Sequence, residues 1–463
     1  MTRFFRVFVP ATAVVLLVSE ILLITSAFIV AVYLTLDVDP WVNLVYDGGF
    51  VHLLPVLLTI LVGMHFNDLY SQYYVKSRVV LLQQLCLVMG GAFLVQGLLS
   101  YISPDMRVSA RVMAVGSALA VVSIYFWRVL FSTFAIKVMG RDRLLLVGGS
   151  PLLEDIAKHL EAHPELGLEV AGYVDDAHQP GEALRGGKVL GTLPDLREIA
   201  QATRPNRIVV GMSERRQRMP VADLLELRFS GYIIEEVATA FERLCGRVCL
   251  KELRPAQLIY SGELGPRPQS LFVQAVGNRL LAAAGLIVAS PLMALTALAV
   301  RLSSPGPILY RQVRVGLDDV PFTVYKFRSM RADAEAVTGA VWASKDDPRI
   351  TTVGKIIRKL RFDELPQLFN TLKGDMCIVG PRPERPEFVQ ELSRKIPYYR
   401  QRHCVRPGIT GWAQINFKYG DTLEDTMTKL EYDLYYIKNM SLSLDTYIVF
   451  HTVKAMLLSR GSQ

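Results

Sequence analysis

Residues 280–300 read LLAAAGLIVASPLMALTALAV, a run of 21 residues without a charge, bracketed by Arg279 and Arg301. Its length suffices to cross a membrane, which takes about 20 apolar residues in a helix. A crossing would carry the basic C-terminal region away from the cytoplasm, yet arginine on both flanks favours keeping both ends inside. Ser290-Pro291 stands at the midpoint. Proline removes one helical hydrogen bond and clashes with the preceding turn, and a neighbouring serine can bond the freed carbonyl. A broken helix over residues 272–301 that enters and leaves on the same side satisfies all these facts. It makes the chain beyond it a domain held at a membrane surface.

The rest of the sequence agrees with a membrane protein. The hydrophobic fraction is 51% and the mean hydropathy +0.29 over 463 residues, and the apolar residues gather before about position 136 and again at 280–300. Four long apolar stretches fill the first third: residues 7–36, 49–66, 79–100 and 112–136. The first is too long for a removable signal peptide and lacks a small-residue cleavage site. Arg3 and Arg6 precede it, Asp37, Asp39 and Asp47 follow it, Lys76 and Arg78 follow the second stretch, and Lys137, Arg141 and Arg143 the fourth. The third loop holds Arg107 and Arg111 beside Asp105. This asymmetry places both ends of a four-span bundle, residues 1–140, in the cytoplasm. Glu20, deep in the first stretch, is expected to find a partner inside the bundle or to be protonated. A net charge of +8 suits anionic lipid, phosphate-bearing substrates or nucleic acid alike.

From Arg143 the pattern turns to alternating strands and helices: strands at 143–147, 168–174 and 206–211, helices at 151–162 and 194–202. That order predicts a Rossmann-like parallel sheet over residues 141–262. Its first turn, Gly148-Gly149-Ser150-Pro151, lacks the third glycine of a dinucleotide fingerprint, although Asp175-Asp176 follows the second strand. A structural or regulatory module is therefore expected. Gly262, Gly265, Pro266 and Pro268 mark a linker after it. Cysteines at 86, 245, 249, 377 and 404 have no second pair to complete a zinc site with Cys245 and Cys249. They are expected to be reduced, small apolar residues.

The chemistry concentrates after position 310, in Tyr310-Arg-Gln-Val-Arg-Val-Gly316, Tyr325-Lys-Phe-Arg-Ser-Met330, Arg358-Lys-Leu-Arg-Phe-Asp-Glu-Leu-Pro-Gln-Leu368, Gly380-Pro-Arg-Pro383 and Arg406-Pro-Gly-Ile-Thr-Gly411. Leu365, Leu368, Phe369 and Leu372 fall at helical spacing, with Pro366 in a first turn and Asp363 as the expected N-cap. A helix start is a seat for phosphate, and a carboxylate there is expected to have a depressed pKa, ready to bind a divalent cation or attack phosphorus. Lys326, Arg328, Arg358 and Arg382 are candidates to neutralise phosphate oxygens. Mg²⁺ is the expected metal, since it binds through one or two carboxylates together with substrate phosphates.

In these motifs, in their order, residues 270–463 resemble the bacterial sugar transferase family, the monotopic polyprenyl-phosphate sugar-1-phosphate transferases. The bundle and middle domain resemble the family's large members, which act in exopolysaccharide, capsule or O-antigen synthesis. The resemblance implies an N-terminal four-helix transmembrane bundle, a Rossmann-like α/β middle domain, and a C-terminal α/β catalytic domain anchored by a re-entrant helix in the bacterial inner membrane. It implies a ping-pong reaction in which Asp363 attacks the sugar-bearing phosphorus of a UDP-sugar, releases UMP and passes the phosphosugar to undecaprenyl phosphate. Glu364 would assist the second step and Asp363 would also contact Mg²⁺. Arg358 and Arg382 match phosphate-binding residues, Lys326 the lysine of the K-F-R motif, and Ser290-Pro291 the helix-breaking pair. Membrane lipid and a second copy of the chain are implied partners; nucleic acid is not. Arg361-Phe362 departs from the Ser-Leu common before the acidic pair.

Two other readings are weighed. A sugar-nucleotide oxidoreductase or epimerase would want the glycine fingerprint and, in its short-chain form, a Tyr-x-x-x-Lys pair, which the chain lacks. A non-catalytic scaffold of polysaccharide assembly would have no need of the acidic pair and its arginines.

Overall fold

The computed structural model describes residues 2–4, 7–9, 11–36, 39–67, 69–70, 78–138, 142–212, 219–250, 268–331, 334, 349–417 and 422–457. The expected linker at Gly262, Gly265 and Pro266 lies outside them, as do Arg6, Asp37, Lys76 and Arg141 of the charge argument. The chain falls into two compact units, divided between Val237 and Ala238.

In the first unit, helices Ala11–Thr35, Gly49–Phe66, Arg78–Ile102 and Ala110–Val138 each contain a stretch long and apolar enough to cross a membrane; the Pro268–Ser303 helix of the second unit contains a fifth. Ile24, Phe28, Ile60, Leu85, Met113 and Ile124 pack inward, while Leu22, Leu87, Leu94 and Phe126 are exposed. Large apolar side chains facing outward along whole helices suit lipid, not water. Gly116 lets two helices close together, because a Cβ there would lie 2.6 Å from the Phe28 ring. Glu20 does have a partner: Arg128 Nε sits 2.7 Å from its carboxylate, and Arg128 also donates to the Leu69 carbonyl at 2.6 Å. Both side chains are buried, and the pair meets the need of each charge for a counter-charge.

The α/β part of this unit is a six-stranded sheet in the order Ala183–Leu184, Gly187–Gly191, Leu168–Val174, Asp142–Val147, Arg207–Val210, Ile233–Glu236. All neighbours are parallel except the short first pair. Leu144 to Val147 are wholly buried, as an unbroken apolar run must be in a central strand covered on both faces. Helices Pro151–Ala162 and Leu196–Thr203 stand where the sequence pattern expects them.

The contact boundary at Val237 comes earlier than the expected 262. Residues 238–250 belong to the second unit because Val248 and Leu250 enter its core with Val379, Trp412, Leu434 and Tyr436. That unit also holds the helix Pro268–Ser303, an antiparallel hairpin of Leu309–Val315 with Pro321–Phe327, and a parallel pair of Cys377–Val379 with Gly408–Thr410. Two C-terminal helices, Leu423–Asn439 and Leu442–Leu457, complete it.

The Pro268–Ser303 helix is continuous, with Pro291 inside it, where a break was expected. The reason is local. Pro291 cannot donate to the Ile287 carbonyl four residues back, and the Ser290 hydroxyl donates to that same carbonyl at 2.8 Å.

Candidate functional site

The acidic pair does not sit as the sequence led one to expect. Helix Thr352–Lys359 is closed by Leu360, the backbone of Arg361 after it is left-handed (φ 59°), and Phe362–Glu364 forms a separate one-turn helix. The following helix, Gln367–Lys373, begins after Pro366. Asp363 is therefore not its N-cap.

Four segments bring cations to this turn. Lys326 comes from the Pro321–Phe327 strand, which Asn370 fixes by donating to the Thr323 carbonyl at 2.7 Å and accepting from the Tyr325 amide at 3.1 Å. Arg358 comes from the helix capped by Thr351, whose hydroxyl accepts from the Gly354 amide at 2.9 Å. Only glycine fits at 354, since a Cβ would lie 1.9 Å from the Ser329 carbonyl oxygen. Arg382 follows the Cys377–Val379 strand in the loop where the G-P-R-P and R-P-G-I-T-G motifs interlock. There Gly380 donates to Thr410 O at 2.9 Å and Gly408 to Pro381 O at 2.9 Å. Arg361, noted in the sequence only as a departure, is the fourth; no spacing rule could have found it, because its left-handed turn sets its reach.

Glu364 is buried with Arg382 at 3.0 Å, Lys326 at 3.5 Å and Arg361 at 3.7 Å from Oε1. Burial alone would raise its pKa, but Arg382, Lys326 and Arg361 outweigh that and hold it at about 2. Asp363 behaves oppositely. Burial and the Glu364 charge push it up to about 6, against Lys326, Arg358 and Arg361. The depressed carboxylate is thus Glu364, a correction to the reading of Asp363. Lys326 is drawn below the usual lysine range by burial, which outweighs Glu364. Asp363 Oδ1 is buried and has no hydrogen-bond partner among the described residues.

Arg328 is not part of this group. The strand stops at Phe327, and the buried Arg328 guanidinium donates to Ser304 O at 2.7 Å, Ser304 Oγ at 3.0 Å and Pro305 O at 3.0 Å. No cluster of three or more His, Cys, Asp or Glu residues able to hold a metal occurs among the described residues. A cation at this site would have to bind through very few protein ligands. The unengaged Asp363 oxygen fits Mg²⁺ on those terms, because Mg²⁺ keeps waters and phosphates as its other ligands.

Apolar helices, a parallel sheet and two adjacent carboxylates with opposite electrostatics define a membrane protein with α/β domains and a site suited to anions. Residues 269–459 match the bacterial sugar transferase family, and residues 65–226 match a family described as a CoA-binding domain. The UDP-N-acetylgalactosamine-undecaprenyl-phosphate N-acetylgalactosaminephosphotransferase of Aeromonas hydrophila is 47% identical over 232 residues, 50% of this chain and 53% of that protein. The UDP-glucose:undecaprenyl-phosphate glucose-1-phosphate transferase of Escherichia coli (strain K12) is 36% identical over 313 residues, 66% of this chain and 65% of that protein. Its counterpart by name in Xanthomonas campestris pv. campestris is 34% identical over 332 residues, 70% of this chain and 68% of that protein. The chain thus spans about half the length of the first relative and just under two thirds of the second. It belongs to the bacterial sugar transferase family.

Proposed function

We propose that this protein transfers a sugar 1-phosphate from a UDP-sugar to undecaprenyl phosphate, as its relatives' names describe for them, and so initiates an extracellular polysaccharide or O-antigen. The observation that carries the mechanism is the buried, unpartnered Oδ1 of Asp363 beside a Glu364 ringed by cations.

A carboxylate oxygen of Asp363 attacks the sugar-bearing phosphorus. The bond from that phosphorus to the bridging oxygen breaks, and UMP leaves with the electron pair. The phosphosugar then rests on Asp363 as an acyl phosphate. An oxygen of undecaprenyl phosphate attacks the same phosphorus, Asp363 departs as a carboxylate, and the product is a diphosphate-linked sugar. Desolvation of Asp363 favours its attack, as water no longer shields the charge. Glu364, at about 2, is a poor proton acceptor, and undecaprenyl phosphate attacks as its dianion, which needs no base. Its part is to hold Lys326, Arg361 and Arg382 where phosphate oxygens arrive, and Arg358 joins them from its helix. Arg328 instead secures the loop at Ser304–Pro305. Asp363 and the substrate phosphates would hold Mg²⁺, which supplies further charge neutralisation.

The same proposal keeps the continuous Pro268–Ser303 helix on one side of the inner membrane, as an anchor that does not cross, with the catalytic unit cytoplasmic. Gln274 donates to Asp445 Oδ2 at 2.7 Å, and Asn278 accepts from the Ile378 amide at 2.8 Å. Met293, Ala297 and Val300 pack with Phe327 and Ile357 of the same unit. Only residues 279–292 lie between these two attachments, about 21 Å of helix against a hydrocarbon core of about 30 Å. A crossing would drag the α/β unit into lipid. The homodimer implied by the resemblance completes the proposal. Its test is Asp363→Asn in membranes or detergent, expected to abolish UMP release from UDP-sugars; wild-type turnover in that variant would remove Asp363 as nucleophile.

A further inference from the structure

Residues 238–250 precede the family match, which begins at 269, yet they are built into the transferase unit. Trp412 Nε1 donates to Gly246 O at 2.7 Å, and Lys438 Nζ lies 2.8 Å from Glu242 Oε2. Most of the grip is on Glu431. Its carboxylate accepts from Arg247 at 2.9 Å and from the Leu250 amide at 3.0 Å, and its carbonyl accepts from the Val248 amide at 3.1 Å.

Glu431 lies on the Leu423–Asn439 helix, and Asp433, two residues on, points to nearly the opposite face, since each residue turns the helix by about 100°. The buried Asp433 pairs with the buried Arg402 at 2.7 Å. Arg402 in turn donates to the Arg382 carbonyl at 2.9 Å. The next two carbonyls of that loop are also held: Pro383 O by Arg314 at 3.0 Å, and Glu384 O by the Val315 amide at 2.9 Å. Three successive carbonyls are thus clamped under the Arg382 guanidinium, which donates to Glu364.

We propose that residues 238–250 form a positioning strap: by gripping Glu431 they fix the Leu423–Asn439 helix, whose other face sets Arg402 and, through the Arg382 backbone, the guanidinium on Glu364. Arg247, Glu431, Asp433 and Arg402 are then positioning residues for the proposed transfer, and the inference rests on that reading for its activity readout. Small displacements of a group that holds substrate are costly, as a shift of about 1 Å can lower a rate about 100-fold.

The test uses the full-length protein in detergent, with UMP release and hydrogen exchange measured together. Arg247→Ala and Glu431→Ala are expected to lower turnover about tenfold, a fraction of that loss. They should also release protection at the Val315 and Gly408 amides, which donate to Glu384 O and Pro381 O of that loop, with strand 144–147 unchanged. Arg247→Lys, which keeps the charge, is expected to retain turnover within about twofold. Unchanged turnover in both alanine variants, a loss with the Val315 and Gly408 amides still protected, or protection lost throughout the unit would each overturn the strap. If the wild type releases no UMP, the proposed transfer fails, and the exchange pattern alone decides the strap.

Discussion

Acidification is the perturbation that separates Asp363 from an ordinary aspartate. The attacking form is the carboxylate, and burial beside Glu364 lifts its pKa from 3.8 to about 6. A raised value means that the reactive form is lost as pH falls through about 6, where an ordinary aspartate would stay ionised. In the free enzyme, before Mg²⁺ arrives with the substrate phosphates, Asp363 is about 90% ionised at pH 7 and about 10% at pH 5, so kcat/KM for the first displacement should fall about ninefold over that interval. An aspartate at 3.8 would lose less than about a tenth of its activity there. The assay is kcat/KM for the UDP-sugar from UMP release, which in a ping-pong scheme reports the free enzyme and the first displacement, apart from titration of the lipid phosphate. Glu364, held at about 2, adds nothing to the limb in this range. A rate that stays level from pH 7 to pH 5 would refute the reasoning.

Arg328→Lys should lower stability by roughly 2 kcal/mol, as the buried guanidinium loses its fit to Ser304 and Pro305, while donor affinity changes little. Arg382→Lys should do the reverse, weakening donor binding in a titration with UDP-sugar while the unfolding midpoint stays near that of the wild type; exchanged outcomes would return Arg328 to the phosphate site. A cysteine added after Gln463 should resist an impermeant maleimide in intact cells, and labelling from outside would mean that the Pro268–Ser303 helix crosses.

Much of the fold was legible where a local pattern has one physical meaning. Leu144 to Val147 form an unbroken apolar run, and the central strand is where the sequence places it. What was not legible depended on distant partners. Glu20 announces a need for a counter-charge, but Arg128 lies 108 positions away. Lys326 and Arg328 look alike in one motif, and the strand ends between them, which sends one to Glu364 and the other to Ser304. Residues 238–250 carry no signal of their own; the glycines and prolines at 262–268 draw the eye to a later boundary, while the burial of Val248 and Leu250 exists only against Trp412 and Leu434. The acidic pair was found by its motif, but Asp363 was expected to be depressed and is raised, because three cations around Glu364 and none bonded to Asp363 Oδ1 are facts of tertiary packing.

The account is tested most directly by quenching the protein in acid seconds after mixing with a UDP-sugar labelled in its sugar, without lipid acceptor, and sequencing the peptides by mass spectrometry. A phosphosugar ester on the peptide containing Asp363, absent from Asp363→Asn and discharged when undecaprenyl phosphate is added before the quench, is the predicted result. UMP released only once undecaprenyl phosphate is added, in step with product, while that peptide stays unmodified would mean direct transfer between the two phosphates, and the covalent route through Asp363 would be wrong.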